Sequence, residues 1–118
     1  MTTATTFAPL IGPDDPRVLA FLRAWHENGR GYFAMSYPDG YSRGWYDRQQ
    51  AKTAKDGRLY INLDDGTSGV MMVEKATGFV YGIKAYGRIN RRHPCGQIED
   101  ITADYEAITK ANRLIRAY

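Results

Sequence analysis

The residues best suited to chemistry lie together in one run, KAYGRINRRHPC, from Lys84 to Cys95. Lys84, Arg88, Arg91 and Arg92 place four cations there, and no Asp or Glu interrupts them. Cations of this kind neutralise phosphates, Tyr86 can stack on a base, and Gly87 lets a backbone approach closely. Together with His93 they form a candidate surface for nucleic acid. The same composition suits a protein partner, because Arg and Tyr dominate interface hot spots. The plain alternative is a basic loop kept solvated by its charges.

His93 and Cys95 raise the question of a thiol enzyme, since neighbouring Arg91 and Arg92 could lower a thiol pKa from its usual value of about 8.5. Pro94 stiffens the segment between them, however, and adjacency in sequence is poor evidence for a dyad. A loop thiol is the simpler expectation. Two His and one Cys cannot close a zinc site without carboxylates. Asp64-Asp65-Gly66 lacks the D-x-[DN]-x-[DN]-G spacing of a calcium loop and reads as turn chemistry. Gly66-Thr67-Ser68-Gly69 is not a nucleophile elbow, and the glycines from Gly82 to Gly87 do not make a dinucleotide fingerprint. Adjacent Glu99 and Asp100 suit the start of a helix, and His26 reads as a helix-end residue rather than a ligand. No catalytic residue, metal or cofactor is expected.

The basic run must be positioned by what precedes it. Residues 70–74 and 79–84 are apolar, β-rich segments around Ala76-Thr77-Gly78, and Gly78 can supply the positive φ that such a turn requires. This predicts a central antiparallel hairpin flowing into the basic loop. Alternation groups Phe79, Tyr81, Ile83 and Ala85 on one face, expected to look into the core, and leaves Gly82 as the mark of a bulge or close approach.

The hairpin resembles a group of small proteins, mostly of bacteriophages and other mobile elements, with a segment V-[DE]-x-x-T-G-x-[VI]-Y. The matching residues are Val73, Glu74, Thr77, Gly78, Val80 and Tyr81, then Tyr86, with Gly96, Gln97 and Ile98 closing the segment. Phe79 and Ile89 depart from the Asp and Pro usual at their positions. The resemblance implies a phage-type accessory protein and no particular activity. A phage-encoded inhibitor or adaptor of a bacterial host protein is the second reading, beside nucleic-acid binding.

Upstream, residues 1–13 read as an irregular arm before a single domain over 14–118. Asp15-Pro16 suits a helix start, with Val18, Leu22 and Trp25, supported by Leu19 and Phe21, as its apolar face and Asn28-Gly29 as its stop. The aromatic block 31–46 predicts a second hairpin turning at Pro38-Asp39-Gly40, its aromatics packing across strands or, in the sharper reading, stacking bases. Residues 47–57 read as a polar loop or helical turn, and 58–63 as a half-buried strand. Thr102 is expected to cap a last helix reaching about Ala117, with Tyr105, Ile108, Ala111 and Ile115 buried. The order gives an α+β domain: about five antiparallel strands in a hairpin meander, flanked by an N-terminal and a C-terminal helix.

A chain of 118 residues suits one core without disulfide or metal support. The single cysteine fits a reducing compartment, and no apolar run is long enough to span a membrane. The opening residues do not resemble a signal peptide, so a cytoplasmic protein is expected. The net charge of +3, with Arg outnumbering Lys, is compatible with phosphate-bearing partners.

Overall fold

The computed structural model describes residues 7–104. Helix α1 (Pro16–Ser36) begins as the sequence predicts: Asp15 accepts the backbone N–H of Arg17 at 2.9 Å, and Pro16 occupies the first turn. It does not stop at Asn28-Gly29. Gly29 lies inside the helix beneath Tyr46, where a Cβ would come within 2.5 Å of the phenol oxygen. The glycine thus admits a close neighbour rather than ending the helix. That neighbour is fixed in turn, because the Tyr46 hydroxyl donates to the His26 carbonyl at 2.5 Å.

The aromatic hairpin expected over 31–46 does not form. The chain finishes α1, then builds two short helices, α2 (Pro38–Ser42) and α3 (Trp45–Gln49). Pro38 opens a helix here, and Gly40 is the floor on which the Trp45 ring lies. Phe33 and Tyr37 stand four residues apart with ring centroids at 5.2 Å, and Phe33 also meets Tyr46 at 5.1 Å. The aromatics therefore pack along and between helices, at helical rather than strand spacing.

Five antiparallel strands follow in chain order: β1 (Lys52–Asp56), β2 (Tyr60–Asp65), β3 (Ser68–Glu74), β4 (Phe79–Ala85) and β5 (Arg88–Gln97). The predicted central hairpin is present, with Val73 opposite Val80, Met72 opposite Tyr81 and Gly78 at φ 73°. The polar stretch before Gly57 contains a strand after all. β1 is an edge whose inward residues are only Lys52 and Ala54, so its alternation is faint. The basic run is not a loop but β5, which turns back from β4 through Tyr86-Gly87, with Gly87 at φ 78°. Ile83 opposite Ile89 and Ala85 opposite Arg88 make that pairing possible.

Helix α4 (Ile98–Ala103) starts earlier than Thr102, whose hydroxyl donates to the Ile98 carbonyl from within the helix. The rest of the expected last helix, including Tyr105, Ile108, Ala111 and Ile115, lies outside the described residues. One sheet face carries the core: Val18, Phe21 and Trp25 of α1 and Ile98 and Ile101 of α4 close on Ile61, Leu63, Met71, Val73 and Val80. Leu19, expected on the apolar face of α1, is 44% exposed. The face assignment of β4 is inverted from the expectation. Val80 enters the core, whereas Phe79, Tyr81 and Ile83 are half-buried on the far side. The bulky residues of β4 lost that competition because Val80 lies opposite Val73 in the layer that the helices cover.

The start of the described chain is strapped to this body. Leu10 is buried and donates to the Lys75 carbonyl at 2.8 Å, and the Phe7 ring covers Gly78. Arg17 holds the strap from the helix side, bonding the carbonyls of Ala8 and Pro9 with its guanidinium 4.4 Å from the Phe7 ring centroid. Among the described residues no helix is long and apolar enough to cross a membrane.

Candidate nucleic-acid interface

The sheet face turned away from α1 and α4 is where the chemistry gathers. Strand registers place Lys55, Asn62, Met72 and Tyr81 in one row across β1 to β4, and Tyr60 opposite Glu74 in the next. Phe79 adjoins Tyr81 with ring centroids at 5.4 Å.

Arg91 reaches over this face from β5. The strand makes that possible by an irregularity: Tyr81 lies opposite Pro94 and Gly82 opposite Asn90, so residues 91–93 bulge from the ladder. A bulge of this kind re-aims side chains. The Arg91 guanidinium donates to Glu74 Oε2 at 2.6 Å, to the Tyr60 hydroxyl at 2.7 Å and to the Tyr81 hydroxyl at 3.4 Å. It lies 5.2 Å from the Tyr81 ring centroid and 5.7 Å from that of Tyr60. Thr77 donates to the other Glu74 oxygen at 2.7 Å. Arg91 first, and then Thr77, hold the Glu74 carboxyl below the usual carboxylate range.

The other cations behave differently. Lys84, Arg88 and Arg92 are exposed on the same hairpin and form no ion pair among the described residues. Tyr86, half-exposed at the turn, donates to Asp64 Oδ2 at 3.0 Å, and its ring lies on Gly69. That hydrogen bond raises the Tyr86 pKa and fixes the ring's rotamer. His93 is half-buried on the bulge. Cys95 is half-buried as well, and burial pushes its thiol up to about 11. The nearby arginines therefore do not produce the lowered thiol pKa that their adjacency suggested.

Of the six residues singled out in sequence, the β4–β5 hairpin carries all of them, but Arg91 is engaged and the other three cations are not. Sequence reading missed Tyr60, Tyr81 and Glu74. Their alternation was visible, and what was missing was the correct face for β4. A second polar cluster lies across the molecule: His26 bonds Asp47 at 2.8 Å and stacks on Tyr46, with Lys52 buried between the Trp25 and Tyr46 rings and paired to Asp65. It ties α3 and β1 to α1 and is structural. No group of His, Cys, Asp and Glu among the described residues is arranged to hold a metal ion.

No family model matches the chain. Comparisons with curated proteins and with solved structures likewise find no match.

Proposed function

We propose that this is a small phage-type accessory protein that binds nucleic acid through the β4–β5 hairpin and the adjoining open sheet face. The observation that carries the reading is the division of labour on that hairpin. Lys84, Arg88 and Arg92 are exposed cations without an acidic partner among the described residues, beside a face bearing Tyr60, Phe79, Tyr81 and Tyr86. Free cations meet phosphates and aromatic faces meet bases. The phage-type origin rests on the hairpin resemblance alone.

The number of free cations sets a measurable quantity. Three phosphate contacts give a slope of log K against log[salt] of about −2.1 for single strands or −2.7 for duplex DNA. Raising salt from about 50 to about 200 mM then weakens binding roughly 20- to 40-fold. The double variant Arg88→Ala/Arg92→Ala should lower the slope by about 1.4 to 1.8 and weaken all sequences alike. Binding that is absent at low salt, or insensitive to salt, removes the reading.

A second reading, an inhibitor or adaptor of a bacterial host protein, is favoured by a different observation. Where α1 gives way to α2 and α3, Met35, Tyr37 and Trp45 are 86%, 58% and 38% exposed. Exposed aromatic and Met side chains grouped in this way are typical of protein-binding surfaces. A stoichiometric protein retained after nuclease treatment would support it.

A further inference from the structure

We infer that the open face takes single-stranded nucleic acid and stacks one base on the guanidinium of Arg91, between Tyr60 and Tyr81. This deepens the nucleic-acid reading above and depends on it. The argument starts from the hydrogen-bonding inventory of arginine, five N–H donors in the plane of a rigid fork and no acceptor. In Arg91 three of those donors are engaged, Nη2 with Glu74 and Tyr60 and Nη1 with Tyr81. Its charge is also answered at 2.6 Å by the Glu74 carboxylate. Such a group is a weaker phosphate ligand than Lys84, Arg88 or Arg92, since a carboxylate already answers its charge. Yet half of the side chain, 51%, remains open to solvent. What it offers is a planar surface.

A guanidinium plane is a stacking surface for bases, as an aromatic ring is. The plane here is held in advance. Glu74 is itself anchored by Thr77, and the bulge at 91–93 fixes where the side chain leaves β5. Preorganisation of this kind removes much of the ordering cost of binding. Phe79, next to Tyr81, gives a second ring for a neighbouring base. Bases in a duplex are stacked on each other and do not present their faces, so a flat sheet platform selects unpaired strands.

The experiment uses the whole chain and oligonucleotides of about twelve nucleotides, within the usual site size, carrying a central 2-aminopurine whose fluorescence is quenched on stacking. Wild-type protein should quench the probe and prefer the single strand over the same sequence as a duplex. Arg91→Lys keeps the charge and removes the plane. It should abolish most of the quenching and weaken binding about 5- to 150-fold, with the salt slope unchanged. Should that variant melt before the assay temperature, Tyr60→Phe/Tyr81→Phe removes the hydroxyl acceptors that hold the guanidinium, keeps the rings, and should also reduce the quenching. A duplex bound as well as the single strand overturns the inference. So does an Arg91→Lys protein that quenches normally. In both cases nucleic-acid binding itself stands, whereas absence of binding to any oligonucleotide at low salt removes the underlying reading as well.

Discussion

At the scale of single residues, what decides a role is the partner, and partners are distant in sequence. Arg91 and Arg92 are adjacent and look equivalent, but the first is neutralised by Glu74 and the second is not. Nothing local in the sequence distinguishes them, because the difference arises from a bulge and from the face on which β3 displays Glu74. Asp15 is the opposite case. Its capping role was legible from Asp-Pro before an apolar face, since the cap is a property of neighbours. The Arg17 side chain, with the backbone N–H groups of Arg17 and Ile11, outweighs burial and holds the Asp15 carboxyl down to about 2. A carboxyl depressed in the folded state contributes stability in full above its ordinary pKa, and the contribution disappears as pH falls through the folded value. Asn can also cap a helix, so Asp15→Asn isolates the charge. Urea denaturation at a series of pH values should show the wild type ahead above about pH 4, with the difference closing towards pH 2. A gap independent of pH would show that the charge contributes nothing.

At the scale of elements, legibility follows how local the determining contacts are. The β3–β4 hairpin was readable because its apolar runs and its turn glycine all lie between residues 70 and 84. The helical corner of α2 and α3 was not, because Pro38-Asp39-Gly40 has turn chemistry in isolation. Only the seat of Trp45 on Gly40 and the docking of Tyr46 beside Gly29 make it helical. The spacing of Phe33 and Tyr37 was the available clue. The turn glycine also supplies a test. Gly78 sits at φ 73° and supports the Phe7 ring. Gly78→Ala should therefore destabilise the protein twice over, by about 1–2 kcal/mol for the left-handed backbone and by displacement of the ring. In a Phe7→Ala background the second part should vanish, leaving the backbone strain alone. Calorimetry or urea melts of the four proteins give the coupling directly. Additive losses would mean that the ring does not rest on the glycine.

At the scale of the whole molecule, the α+β class and the number of strands agree with the sequence reading, although two of the five strands are different ones. The aromatic block was counted as two strands and is helical, while 52–56 and 88–97 replaced it. The class survived because the overall order, helix then antiparallel strands then helix, is unchanged by that exchange. What did not survive was the expected strand pairing of the aromatic block. The aromatics of 31–46 pack among helices, whereas Tyr60, Phe79 and Tyr81 lie on the outer face of β2 and β4.

The meander has a consequence for how the molecule assembles. Every strand pairs with its neighbour in the chain, so each ladder closes a short loop. Low sequence separation of contacts favours rapid folding. The strap is different, for Leu10 and Phe7 meet the β3–β4 turn across most of the chain and have nothing to dock on until that turn exists. Its contacts belong after the rate-limiting step. In stopped-flow chevrons, Phe7→Ala should speed unfolding and leave the folding rate nearly untouched, whereas Val80→Ala in the central ladder should slow folding. Equal effects of the two on the folding limb would place the strap in the nucleus. If the order is as the contacts imply, the strap of Phe7 and Leu10 is the last part of the described chain to take its place, and the first to leave it.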